Sequence, residues 1–221
     1  CSEEKLFILD QKEKALVINI PGHDNEIPKI SVFRNFSAPV IWESDQTDDE
    51  HFYALQNDSD LFLRWDSGQN IMRQILLARA LNKPDIKKEN LFIDSLFHLV
   101  NDFDGNNPGF LAKLLTVPEL LDLEAFQNPI DPIALYESCL YLKSYIGESL
   151  RQPLKELLIK CNPPCSYSWP MGKGERQVIH VVWELLALSG DLPVRQSALE
   201  AISGGAMSLS KSALNALNKV E

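Results

Sequence analysis

The side chains best suited to hold a metal ion are two cysteines and one histidine in the last third of the chain. Cys161 and Cys165 are separated by three residues, and His180 follows fifteen residues later. This Cys-x3-Cys spacing is found in zinc knuckles, which need four ligands. A fourth ligand is missing unless Glu175 or Glu184 supplies it. A structural zinc, an occasional disulfide across the loop and two free thiols therefore stay open, and free thiols are favoured.

The remaining histidines do not form the pattern of a catalytic zinc site. Such a site takes three protein ligands, usually with two on one helix face, and leaves one position open. None of His23, His51 and His98 lies within one helical turn of another histidine. His98 falls in an apolar helical pattern, which favours a packed, hydrogen-bonded side chain, whereas His23 and His51 are expected in exposed turns. The sequence therefore predicts no catalytic metal site, and the favoured prediction is a chain without metal ligands.

Acidic and glycine-rich segments also fail to match a known ligand loop. The acidic run 45–50 lacks the alternating ligands, central glycine and terminal glutamate of an EF-hand, so we expect a solvated hairpin tip. Residues 102–107 join two predicted helices, and their Asp, Gly and Asn residues favour a turn over a calcium-binding loop. The glycine pairs at 172–174 and 204–205 lack the spacing of phosphate loops, and no serine stands in Gly-x-Ser-x-Gly. Nucleotide binding and serine hydrolase chemistry are unsupported.

The bulk composition argues against nucleic acid and membranes as partners. The 221 residues are 45% hydrophobic and 24% charged, which is typical of an ordinary globular protein. The net charge of −10 is unsuited to a phosphate backbone. No apolar run approaches the ~20 residues that cross a bilayer, and the first residues do not form a signal peptide. Because no such span is present, we expect a soluble protein. Four cysteines are too few for a disulfide scaffold, which favours a cytoplasmic location.

The first part of the chain is predicted to form short strands. Runs rich in β-branched and aromatic residues, separated by polar turns, occur at residues 6–9, 15–20, 30–33, 40–42 and 51–55. We therefore assign residues 1–63 to a partial, immunoglobulin-like β-sandwich. Since such a sandwich takes ~100 residues, further strands are expected upstream.

From residue 64 onward the apolar period becomes helical. It predicts nine helices, at residues 66–81, 90–101, 110–115, 117–126, 133–146, 152–161, 174–189, 194–202 and 210–220. Asp131 before Pro132 is the clearest start signal, and Asn107 before Pro108 is similar. Repeated helices with short loops favour a stacked, armadillo-like superhelix over residues 64–221. The predicted fold class is thus mainly α, with the partial β-sandwich preceding this solenoid-like domain.

Arg64, Trp65 and Asp66 lie where the strand pattern gives way to the helical one. Asp66 can cap the first helical turn, Arg64 can reach a neighbouring carboxylate, and Trp65 can bury ~200 Å². We interpret the three residues as a structural pin between the two domains. The alternative is simply a well-formed helix start.

This junction resembles that of the aminopeptidase N family of zinc metallopeptidases, of the bacterial alanyl aminopeptidase type. The resemblance is carried by Phe36-Ser-Ala-Pro-Val40 and by residues 57–69, which read Asn-Asp-Ser-Asp-Leu-Phe-Leu-Arg-Trp-Asp-Ser-Gly-Gln. Two further matches follow in the family's order, at residues 115–118 (Leu-Thr-Val-Pro) and 130–133 (Ile-Asp-Pro-Ile). Together these four matches align residues from about 30 to 160 with the family. Gly68 and Asn70 depart from the Ala and Ser of bacterial members.

The resemblance implies a fragment without the active site. The family's zinc is held by a His-Glu-x-x-His helix and a downstream Glu, and no His-Glu-x-x-His occurs in this sequence. We therefore expect no catalytic residue, cofactor or metal ligand here, with zinc bound by the catalytic domain of a parent enzyme. The chain would provide scaffold and control the access of peptide substrates, with the rest of that aminopeptidase as its partner. A free-standing helical adaptor for a protein partner is the alternative.

Overall fold

The computed structural model describes residues 6–17, 29–40, 44–161, 172–204 and 206–220. The chain divides into two units, residues 1–30 and 31–221. The described residues of the first unit contain no helix or strand. Within them, Lys14 Nζ donates to Asp10 Oδ1 at 2.9 Å and to the Ile8 carbonyl at 2.7 Å.

The second unit is helical throughout its described part. A 3-10 helix at Arg34–Phe36 precedes the α-helices, and another at Glu124–Phe126 follows the fifth of them. The ten described α-helices are α1 Asp48–Asn57, α2 Leu61–Ala80, α3 Ile86–Asn101, α4 Pro108–Leu115, α5 Leu120–Leu123, α6 Pro132–Ser149, α7 Arg151–Lys160, α8 Lys173–Leu188, α9 Leu192–Ile202 and α10 Met207–Leu217. None of the described helices is both long and apolar enough to cross a lipid bilayer.

The predicted β-sandwich is wrong for the part of residues 1–63 that the structure describes. Residues 6–9 and 30–33 form no strand, and residues 51–55 lie within α1. The predicted strands at 15–20 and 40–42 lie partly outside the described residues, and their described parts form no strand. The division into domains 1–63 and 64–221 stays a prediction.

A capping box explains why α1 is a helix. The Thr47 hydroxyl accepts the Glu50 N–H at 3.4 Å, and the Glu50 carboxylate accepts the Thr47 N–H at 2.8 Å. This reciprocal pair satisfies two backbone donors at the helix start. Phe52 and Leu55, three residues apart, are both buried and give the helix one apolar face.

The helical prediction is confirmed, with differences at the helix ends. The segment predicted at 66–81 begins earlier, at Leu61, and the one predicted at 117–126 divides into α5 and a 3-10 turn. Asp131 caps α6 as predicted, accepting the Ala134 N–H at 3.0 Å. Asn107 precedes α4 in a left-handed conformation, with φ of 52°, and its side chain makes no capping bond.

Helix α8 is the centre of the carboxyl-terminal half, where it packs against α4, α6, α7, α9 and α10. Two of these contacts need glycine. A Cβ at Gly147 of α6 would overlap the Leu185 carbonyl of α8. A Cβ at Gly174 would lie 2.7 Å from Pro108 Cγ and 2.8 Å from the Gly109 nitrogen. Gly174, one of the glycines considered above for phosphate binding, therefore permits α4 and α8 to cross closely.

Candidate docking site at the start of α2

The carboxylate of Asp58 holds the chain that enters the helical unit. Its Oδ2 accepts the Ser31 hydroxyl at 2.5 Å, and its Oδ1 accepts Arg34 Nη1 at 2.8 Å. Burial favours the neutral acid, but the hydrogen bonds from Ser31, the Asp60 N–H and Arg34 outweigh it and lower the pKa of Asp58. Asp58 is therefore ionised at neutral pH and binds both residues as a carboxylate.

Asp60 starts α2 and positions the preceding segment at the same time. Its Oδ1 accepts the Leu63 N–H at 2.9 Å, which is the N-cap bond of α2. Its Oδ2 accepts the Asn35 N–H at 2.7 Å. Asn35 has a φ of 55°, a left-handed conformation that asparagine tolerates better than most residues. One buried carboxylate thus fixes both the helix start and the direction of the incoming backbone.

Aromatic rings complete this contact. The Phe36 and Phe62 rings meet edge to face with centres 5.1 Å apart, and Phe62 lies 5.8 Å from Trp65. These separations are typical of stabilising aromatic pairs. Trp65 in turn packs against the hydrophobic core. We name the set of Arg34, Phe36, Asp58, Asp60 and Phe62 the junction cluster.

Of the three residues predicted to form a pin, only Trp65 touches the junction cluster through a described ring contact. Arg64 Nε instead donates to the Leu55 carbonyl at 3.0 Å, and its guanidinium carbon lies 5.4 Å from the centre of the Phe110 ring. Arg64 forms no ion pair with the described residues, so the carboxylate partner expected for it is not found there. The inter-domain role of these residues stays a prediction.

The expectation that Asp66 caps the helix is wrong. Because α2 begins at Leu61, Asp66 lies inside it, and Asp60 makes the capping bond. Burial raises the pKa of Asp66, although the charges of Arg73 and His51 oppose that shift. Its Oδ2 accepts the Asn70 side chain at 3.2 Å.

The residues considered as metal ligands do not assemble into a site within the described part of the chain. Cys161 is a buried free thiol, and burial raises its pKa to about 11, so it is protonated at neutral pH. Cys165 lies outside the described residues. His180 Nδ1 lies 3.1 Å from the Ser212 hydroxyl. The described residues include no group of three or more His, Cys, Asp or Glu that could hold a metal ion. The described residues therefore do not bring together the four ligands of a structural zinc ion.

Two histidines differ from expectation. His98 is exposed on α3 rather than packed. His51 lies half-buried in α1 rather than in an exposed turn, and burial lowers its pKa although nearby carboxylates oppose the shift. His23 lies outside the described residues.

The acidic run and the 102–107 segment have structural roles. Asp48, Asp49 and Glu50 form the first turn of α1, where negative charge favours a helix, so the predicted hairpin tip is wrong. Residues 102–107 connect α3 to α4 as predicted, and Asp104 accepts the Asn106 N–H at 2.8 Å in that turn. Gly204 follows α9, and residue 205 lies outside the described residues.

The sequence patterns did not predict the junction cluster, although all of its residues except Arg34 lie inside the motifs at 36–40 and 57–69. Asp60 stands three residues before Leu63, at the end of a polar connection, which is an N-cap signal. No local signal identifies Arg34 as the partner of Asp58, because the two are twenty-four residues apart.

Comparison with known proteins gives results that agree with this architecture. A family model described as "Domain of unknown function (DUF3458_C) ARM repeats" matches residues 48–221, starting at the first residue of α1. The aminopeptidase N of Caulobacter vibrioides is 31% identical over 202 residues, which cover 91% of this chain and 21% of that protein. The chain therefore spans about a fifth of the length of this curated relative.

A solved structure shares the fold. Legionella pneumophila aminopeptidase A, determined in complex with aspartic acid, matches with a TM-score of 0.73 at 19% identity. The match covers 85% of this chain and 23% of that one. The resemblance to aminopeptidase N is thus confirmed, and the chain belongs to the DUF3458_C family of ARM-repeat domains.

Proposed function

We propose that this chain serves as a non-catalytic helical segment of a zinc-dependent aminopeptidase. The observation that carries the proposal is the 31% identity to aminopeptidase N over 91% of the chain. The lack of a metal-binding group among the described residues is compatible with a supporting role. In such an enzyme the catalytic domain would bind zinc, and peptides would be the substrates.

The junction cluster supports a scaffold role. Asp58 and Asp60 hold residues 31–36 through charged and backbone hydrogen bonds, so the chain leaves the start of α2 in a fixed direction. A preceding domain attached to this segment would inherit that direction. We therefore extend the proposed inter-domain pin of Arg64, Trp65 and Asp66 to the junction cluster, because the Trp65 ring contacts Phe62 of that cluster.

Control of access is the second part of the proposal. A rigid helical unit held beside an active site narrows the route by which peptides reach it, and long or folded substrates would be excluded first. The rest of the aminopeptidase is the proposed partner, and the cytoplasm is the proposed location.

The test is to purify the native product from source cells with an antibody raised against this chain. We expect a polypeptide several times heavier than 25.0 kDa that contains zinc and hydrolyses aminoacyl-p-nitroanilides. Chelation should abolish the activity, and zinc should restore it. A native product near 25.0 kDa without activity would overturn the proposal and favour the helical adaptor.

The scaffold and access roles are tested by junction variants in the same enzyme. We expect Asp58→Asn to change the ratio of kcat/KM between a dipeptide and a ten-residue peptide while the zinc content stays constant. Asp94→Asn, at an exposed position of α3, is the matched control. Equal ratios in both variants and the wild type would refute the access role.

A further inference from the structure

An open cleft with a volume of about 540 Å³ lies where α1, α2, α3, α4 and the α3–α4 turn meet. This volume falls within the range of ligand-binding sites, roughly 300–1,000 Å³. Apolar side chains from Leu61, Phe103 and Phe110 line it together with charged groups. Neither the sequence motifs nor the junction cluster gives a role to this combination of apolar and charged side chains in one cleft.

Arg64 is the fixed cation of the cleft. The bond from its Nε to the Leu55 carbonyl, 3.0 Å long, and the nearby Phe110 ring hold the guanidinium in place. Its Nη1 and Nη2 make no hydrogen bond or ion pair with the described residues. Burial lowers the pKa of Arg64, and Asp58, the carboxylate whose charge opposes that shift, already binds Ser31 and Arg34. A held guanidinium with both terminal nitrogens available matches the two oxygens of a carboxylate.

Carboxylates supply the opposite charge on the same cleft. Asp102 ends α3 with its side chain exposed and lines the cleft, as does Asp104 on the following turn. Asp104 already accepts the backbone and side-chain nitrogens of Asn106, each at 2.8 Å. Asp102 has no such partner among the described residues and is the better acceptor for a cation. The cleft thus suits a ligand that carries both charges.

We propose that this cleft binds short zwitterionic peptides of about two or three residues. The peptide carboxylate would pair with Arg64, its ammonium group would lie near Asp102, and an apolar side chain would pack on Phe103 and Phe110. The test of this site does not depend on the aminopeptidase proposal.

The first experiment is an NMR titration of the 221-residue chain with the dipeptide leucyl-phenylalanine. We expect saturable shifts of the Asp102 and Phe110 backbone amides and of the Arg64 Nε–H, with a Kd of about 1 mM or tighter. The C-terminal amide of the same dipeptide should bind about tenfold more weakly, because it lacks the charge-assisted fork. The N-acetyl form should lose about threefold, because Asp102 is exposed. No shift at about 20 mM, or equal affinity for the dipeptide and its amide, would overturn the proposal.

A pair of arginine variants tests the residue itself. Arg64→Lys keeps the charge but loses the planar fork, so we expect about tenfold weaker dipeptide binding. Arg195→Lys is the matched control, because Arg195 Nε also donates to a helix carbonyl, that of Ala187 at 2.9 Å, and lies outside the cleft. If Arg195→Lys weakens binding as much as Arg64→Lys does, the cleft is not the site. Free leucine binding as tightly as the dipeptide would also contradict the proposed ligand.

Discussion

Arg79 and Glu89 form a two-point ion pair that joins α2 to α3. Nε of Arg79 lies 2.8 Å from Oε1 of Glu89, and Nη2 lies 2.7 Å from Oε2. Tyr141 of α6 donates to Oε2 at 3.3 Å, and its ring centre lies 3.3 Å from the guanidinium carbon. Since Glu89 is only 1% exposed, three helices depend on one desolvated carboxylate.

Replacing Glu89 with Gln should destabilise the protein by about 3 kcal/mol, because a partly buried guanidinium would lose its counter-charge. Urea unfolding followed by circular dichroism measures the loss. Tyr141→Phe keeps the ring and removes only the hydroxyl contact, so it should cost about 1 kcal/mol or less. A Glu89→Gln cost no larger than that of Tyr141→Phe would contradict the importance given to the ion pair.

Removing the charge of Asp58 should release residues 31–36 without unfolding the helices. Asp58→Asn weakens the bonds to Ser31 and Arg34, and a charge-assisted bond of this kind contributes about 1.5–3 kcal/mol. Under limiting trypsin we expect cleavage after Arg34 to become about tenfold faster, because cleavage follows the population of the open segment. The control variant Asp94→Asn should be cleaved at the wild-type rate, and equal rates in the two variants would sink the prediction.

Glu184 should make stability fall in acid. Its Oε1 accepts Lys143 Nζ at 2.8 Å and Lys219 Nζ at 2.5 Å. Burial alone would raise the pKa of Glu184, but the two lysines lower it below the model-compound value of 4.5. The stabilisation is therefore fully present above pH 4.5 and is lost as the pH falls through the lower folded-state pKa.

In urea unfolding between about pH 3 and pH 7, the free energy of unfolding of Glu184→Gln should decrease less towards acid pH than that of the wild type. At pH 7 it should cost about 3 kcal/mol, because two lysines lose their partner. Glu148→Gln, at an exposed position on α6, should reproduce the wild-type curve. If the free energy of unfolding decreases equally in acid for the wild type and Glu184→Gln, this carboxylate is not a cause of the acid destabilisation.

The crossing of α6 and α8 should not tolerate a methyl group. Gly147→Ala forces the Leu185 backbone to move, with an expected cost of about 3 kcal/mol or more. Gly68→Ala is the control within a helix, since its Cβ would lie 3.3 Å from the mobile Leu55 Cδ1. We expect that variant to change stability by no more than about 1 kcal/mol, because helix propensity offsets the small clash. Thermal unfolding compares the two, and equal melting temperatures would show that the crossing is not tight.

Local patterns predicted the helices because local chemistry forms them. Asp131 caps α6 as its position indicates, and the apolar period located α2 through α10. The error at α1 had a local cause as well. The aromatic and apolar residues 51–55 satisfy a strand pattern, whereas the capping box of Thr47 and Glu50, which spans the four residues before them, indicates a helix.

The junction cluster and the Arg64 cleft could not be predicted in the same way. Arg34 and Asp58 meet only after α1 and α2 have packed together, and no periodicity encodes their distance. The motif did locate the right segment, but it assigned the capping role to Asp66 in place of Asp60. Side-chain partners that are far apart in sequence depend on tertiary geometry, which composition and residue spacing do not predict.

The contact between α4 and α8 has a consequence for cooperativity. In an ideal array each repeat touches only its neighbours, and unfolding can advance from one end. Here Gly109 and Gly174 bring together two helices with α5, α6 and α7 between them in sequence. If a helix between α4 and α8 unfolded, the helices that pack on either side of it would both lose buried surface at once. The helical unit should melt in a single transition, like a small globular domain, and not one repeat at a time.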